Sequence, residues 1–72
     1  MEEYDIAINE EVVNKKKMFV AHCLTLGIAS QGKTVEEALK NIKEAIALFE
    51  NKPLSKIIKE ALLPPMAARI FL

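Results

Sequence analysis

The chain has little of what most protein chemistry is built from. Its 72 residues include one cysteine, one histidine and one aspartate, no tryptophan and two glycines, and its formal charge sums to zero. Each scarcity excludes something. A lone Cys23 closes no intrachain disulfide, and with His22 as the sole imidazole no four-ligand nitrogen and sulfur metal site can be assembled. A two-metal nuclease needs several carboxylates converging on its ions; Asp5 stands alone, and the glutamates of the central helix fall on its outward side. No cofactor is expected, and no enzymatic activity.

No apolar run approaches the roughly 18 residues that span a bilayer, and Met1-Glu2-Glu3-Tyr4 has neither the basic nor the apolar region of a signal peptide. A reducing cytoplasm is therefore the expected compartment. With no net charge there is no global field toward nucleic acid or an anionic membrane. The lysine run Lys15 to Lys17 is short and lacks interleaved aromatics, so direct nucleic-acid binding by this chain is not expected.

What the chain does have is apolar side chains. They make up 51% of the residues, more than a lone domain of this size hides, since folding buries only about 60% of the surface that so short a chain exposes. Residues 1–72 are read as one domain that pairs with itself, as a homodimer or higher oligomer, or with a partner protein. Charge is segregated: Glu2, Glu3, Asp5, Glu10 and Glu11 precede the first lysine.

Taken in order, Tyr4, Ile6 and Ile8 alternate with Asp5, Ala7 and Asn9, the period of a half-buried strand over Tyr4 to Val12. Polar residues from Asn9 to Lys17, with Asn14-Lys15 suited to a turn, predict a hairpin loop. Lys17 to Leu26 predicts a second strand, with Met18, Val20, His22 and Leu24 on one face and Phe19, Ala21 and Cys23 on the other. Neighbours on a strand face opposite ways, so His22 and Cys23 cannot act together on one atom. Gly27 permits a bend, and Ile28 to Gln31 predicts a third strand.

Thr34 to Glu50 predicts an amphipathic helix. Val35, Ala38, Leu39, Ile42, Ala45, Ile46 and Phe49 form one stripe, and Asn51, Lys52 and Pro53 stop it. Leu54, Ile57, Ile58, Ala61 and Leu62 repeat the helical spacing, predicting a short second helix over Leu54 to Leu63. Pro64-Pro65 ends it, and Met66 to Leu72 predicts a last strand. The whole is an α+β architecture: a three-stranded antiparallel meander, an amphipathic helix on one face, a short second helix, and a C-terminal strand parallel to the first through a right-handed crossover.

One motif competes with this reading. Gly27, Gly32, Lys33 and Thr34 satisfy G-x-x-x-x-G-K-[ST], the phosphate-binding loop pattern, ahead of a helix. The same residues also read as a glycine turn and a capping box, in which Gly32 takes a left-handed turn and Thr34 with Glu37 forms T-x-x-E. A magnesium nucleotide site further requires an acidic residue on another strand, and Thr34 as a cap lies before the helix, whereas a metal-ligating threonine lies inside it. The capped turn is the better reading; a small nucleotide-binding protein is the alternative.

The run Ser30-Gln31-Gly32-Lys33-Thr34-Val35-Glu36-Glu37-Ala38-Leu39, followed by Asn41-Ile42-Lys43-Glu44-Ala45-Ile46, resembles the HicB-type antitoxin domain over about the first fifty residues. The resemblance implies a partial RNase H-like fold without nuclease chemistry, with its fourth strand parallel to the first. It also implies oligomers that block a small, basic HicA-type mRNA-cleaving toxin. Leu24 and Leu26 stand where many members carry proline, and the chain is too short to include the operator-binding module that many full-length members have. Solitary members without a toxin form a second alternative. Candidate partner-contacting residues are the acidic Glu2, Glu3, Glu10 and Glu11 and the apolar Leu54, Ile57, Ile58 and Leu62; Gly32, Thr34 and Glu37 are the structural turn and cap.

Overall fold

The computed structural model describes residues 3–52, 59–63 and 66–71. Strands β1 (Glu3–Val13), β2 (Lys16–Cys23) and β3 (Ile28–Gly32) are followed by helix α1 (Val35–Phe49) and then by β4 (Lys59–Leu63) and β5 (Ala67–Phe71). The protein is α+β. The strands form one sheet in the order β3-β2-β1-β5-β4, antiparallel at every pairing, with α1 on one face.

The two-residue period of β1 decides which face is core. Tyr4, Ile6 and Ile8 are buried, and the register places Ile6 opposite Cys23 and Ala68, Ile8 opposite Ala21, and Tyr4 opposite Ile70. These side chains meet Ala38, Leu39, Ile42 and Ile46 of the helix in one cluster, with Phe19, Ile28 and Val35 packed at its margin. Burial of Ala47 rather than Phe49 departs from the predicted stripe: Phe49 is 58% exposed, at the last turn, with no cover among the described residues.

The helix starts as its sequence dictates. Thr34 is extended, and its Oγ1 accepts from the backbone N–H of Glu37 at 3.0 Å. Glu37 Oε1 accepts in return from the N–H of Lys33 at 3.2 Å, one residue earlier than in the standard reciprocal box. At the other end Asn51 takes a left-handed φ of 56°, and the bonds from Asn51 N–H to the Leu48 carbonyl and from Lys52 N–H to that of Ala47 make a Schellman motif.

Gly32 needs a different explanation from the left-handed turn expected of it. It ends β3 without a positive φ, and a Cβ there would lie 2.5 Å from the backbone nitrogen of Ala38 and 2.8 Å from the Cβ of Glu37. The glycine is required because the first helical turn rests directly on the strand. Gly27 is the residue with φ of +72°, in the turn between β2 and β3.

The first hairpin loop is shorter than the polar run suggests. β1 continues through Asn9 to Val13, and the turn is Asn14-Lys15 alone, both at positive φ (52° and 65°), the signature of a type I′ hairpin. Charged side chains do not prevent pairing on a strand whose faces are solvated. Since β5 pairs with β1 only as far as Ala7, and β3 with β2 only from Phe19, the end of this hairpin projects beyond the five-stranded body.

The predicted second helix is corrected. Lys59 to Leu63 is strand β4, paired with β5 from Lys59 opposite Phe71 to Leu63 opposite Ala67; residues 53–58 of that prediction lie outside the described residues. Helical spacing there is overridden by the ladder that β5 offers, as tertiary pairing commonly overrides weak propensity. The predicted parallel last strand is corrected for the same reason. An extra strand adds one reversal of chain direction, so β4 runs parallel to β1 without touching it, and β5 lies between them, antiparallel to both.

Four substitutions test this account by denaturant unfolding. Thr34→Ala should cost about 1 kcal/mol through loss of the cap, and Ile42→Ala about 2 to 5 kcal/mol through its cavity. Gly32→Ala should cost about 1 to 3 kcal/mol through overlap with the helix backbone. Lys15→Gly should be stabilising by a few tenths of a kcal/mol, because the left-handed penalty removed, roughly 1 to 2 kcal/mol, exceeds the entropy that glycine adds. A destabilised Lys15→Gly protein would contradict the turn assignment.

Candidate functional site

The sheet face opposite α1 is left uncovered by the described elements. It carries alternate residues of β1, β2, β3 and β5: Ala7 and Val20 near its middle, with Ala29 and Phe71 toward the sides, and charges around them. Val20 is 9% exposed although no helix covers it. Its shelter is local. His22 Nε2 and Glu11 Oε2 lie 3.2 Å apart, and the register places Val20 and Asn9 on the rung between them. The contact is a hydrogen bond when the imidazole is neutral and an ion pair when it is protonated.

Asp5 and Arg69 are direct cross-strand partners on the same face. Arg69 Nε donates to Asp5 Oδ1 at 3.0 Å, while the Asp5 backbone N–H donates to Thr25 Oγ1 at 3.1 Å. The hydrogen bond to Asp5, reinforced by the charges of Asp5 and Glu3, raises the guanidinium further above its already high value. Such exposed pairs add little stability; their effect is to fix two charged groups in one orientation. The pattern is a small apolar centre flanked by two cross-strand pairs, Glu11 with His22 and Asp5 with Arg69.

The predicted contact residues do not converge. Glu2, Leu54, Ile57 and Ile58 lie outside the described residues, and Leu62 sits in β4 opposite Ala68. Glu3 is exposed at the start of β1. Glu10 and Glu11, consecutive on a strand, project to opposite faces, Glu10 3.6 Å from Lys17 Nζ and Glu11 against His22. Glu10 therefore meets a lysine on one face and Glu11 an imidazole on the other, so these two acids do not form one patch. His22 and Cys23 are likewise split between faces, Cys23 being 1% exposed beneath the helix. Arg69, which sequence reasoning did not single out, becomes legible only once β5 is known to lie against β1.

The stretch matching the phosphate-loop pattern is straight where such a loop would curl. Ile28 to Gly32 is paired residue by residue with β2, from Cys23 opposite Ile28 to Phe19 opposite Gly32. Its backbone groups on the β2 side belong to a ladder. The free edge of β3 is also partly occupied, since Asn41 Nδ2 of the helix donates to the Gln31 carbonyl at 2.7 Å. Lys33 leaves this strand at the hairpin end of the open face, beside a cavity of about 240 Å³ lined by Val13, Asn14, Lys16, Met18, Gln31 and Lys33.

Among the described residues no three of His, Cys, Asp and Glu approach closely enough to share a metal ion, and no helix is long and apolar enough to cross a membrane. No family model, no curated protein and no solved structure matches the chain.

The burial of Cys23 has a direct consequence. In the native protein its thiol should react with an aromatic disulfide reagent no faster than the molecule opens, and at the free-thiol rate in denaturant. Rapid native labelling would mean that the helix does not cover β2 as described.

Proposed function

We propose that this protein is a non-enzymatic, antitoxin-type binding module that inhibits a small, basic HicA-like mRNA-cleaving toxin by protein contact. The open sheet face is the observation that carries this reading. Its centre is apolar and its margin polar, the anatomy common to protein interfaces, and Asp5 with Arg69 and Glu11 with His22 are held in cross-strand pairs, so a partner meets ordered side chains there. The Gln31-Gly32-Lys33-Thr34 core with Glu36-Glu37-Ala38 supports the same reading through its resemblance to HicB-type domains. The antiparallel β5 departs from the parallel fourth strand that the resemblance implies, so support from sequence is confined to the meander and helix.

Self-association accompanies this proposal. The apolar composition and the exposure of Val12 and Leu48, at 72% and 84%, favour a homodimer or larger oligomer. A compartment that keeps Cys23 reduced, the cytoplasm, fits the same picture.

Co-expression tests the proposal. A small basic ribonuclease encoded beside this chain should arrest growth when produced alone and be neutralised by the wild-type protein. Arg69→Glu, which places like charges on the open face, should weaken neutralisation about tenfold or more, as charge changes at interfaces do, while Lys40→Glu on the outer face of α1 should leave it intact. Failure of the wild-type chain to bind or neutralise such a ribonuclease would overturn the reading in favour of a solitary oligomer. Equal effects of the two variants would displace the contact from the sheet face.

A further inference from the structure

We propose that the cavity at the hairpin end of the open face is a binding site for a phosphate monoester group of a small molecule, held by Lys16 and Lys33. The inference is independent of the protein partner proposed above. It rests on how the sequence delivers these two lysines, far apart in the chain, to one concave surface.

Lys16 opens β2 directly after the Asn14-Lys15 turn, and the two left-handed residues of that turn hold the strand ends in a single register. Lys33 follows Gly32, at the junction where β3 ends against the first helical turn, and its backbone N–H is bonded to Glu37 Oε1. Both lysines therefore start from anchored backbone, and both line the same cavity, with Asn14 and Gln31 also in its lining. Asn and Gln amides add neutral N–H donors to the ammonium groups.

Electrostatic balance points to an anion. Lys17 is matched by Glu10, His22 by Glu11 and Arg69 by Asp5, whereas Lys16 and Lys33 have no acidic partner among the described residues. Glu37, four residues after Lys33, is engaged with backbone in the cap. Two unmatched ammonium groups complement a phosphate monoester, which carries about −1.5 to −2 charges at neutral pH, better than a singly charged carboxylate. A cavity of about 240 Å³ is below the roughly 300 Å³ at which pockets for drug-sized ligands begin, so the occupant is small. Val13 and Met18 in the lining give it an apolar side against which a ring or short chain rests.

This site uses Lys33, the lysine of the phosphate-loop pattern, but in another geometry. The backbone of Ile28 to Gly32 is committed to the sheet, so the anion is met by side chains from two strand ends, with no cradle of amides and no requirement for magnesium.

Amide chemical-shift titration of the full chain, at constant ionic strength, tests the proposal with inorganic phosphate, a nucleoside monophosphate and acetate as probes. Saturable shifts should centre on residues 13–18 and 31–33 for both phosphates, and Lys16→Gln with Lys33→Gln should weaken binding at least tenfold. Lys15→Gln with Lys17→Gln, an equal loss of charge outside the cavity, should change affinity less than twofold. Tighter binding of the nucleoside monophosphate than of phosphate assigns the ligand to a phosphorylated molecule that uses Val13 and Met18; equal binding assigns it to the free ion. Shifts scattered over all lysines, equal affinity for acetate, or equal losses in the two double variants would each overturn the proposal.

Discussion

Where β3 meets the helix, the Ala38 nitrogen stands so close to Gly32 that no side chain fits between them. That approach sets the height of the helix above the sheet, and the Thr34 cap beside it sets the direction in which the helix leaves. With both fixed, Leu39, Ile42 and Ile46 come down on Ile6, Ala21 and Cys23, and Asn41 reaches the otherwise free carbonyl of Gln31. A bulkier residue at position 32 would lift the first turn and loosen every contact further along, because a close-packed interior does not absorb such a shift locally.

The same joint divides the molecule into two faces with different chemistry. The face under the helix holds the apolar cluster, in which no buried polar side chain occurs among the described residues. The other face is arranged by cross-strand pairs: Asp5 with Arg69, and Glu11 with His22 across the Val20 rung. These pairs fix the orientation of the side chains that the open face presents. The hairpin end is the exception, since there the lysines outnumber the acids available to them, and it is at this end that the surface becomes concave.

Much of this was legible in residue order. The alternation of Tyr4, Ile6 and Ile8, the T-x-x-E cap and the helical stripe are local patterns, each determined by a period or by side-chain to backbone chemistry within a few residues. The assignment of His22 and Cys23 to opposite faces follows from strand geometry alone. The two misread elements failed for one shared reason. Lys59 to Leu63 has helical spacing, but its structure is chosen by an edge of β5 that local sequence does not contain, and the direction of β5 then follows from the extra reversal.

By itself, then, the sequence determined the α+β class, the meander, the helix and its caps, because these depend on contacts between near neighbours. Tertiary structure decided which sheet face stayed open, that Arg69 faces Asp5 from 64 positions away, and that Lys16 and Lys33 share one cavity. These are juxtapositions across the sheet. They depend on strand order and register, which pairwise long-range contacts select and no periodicity encodes.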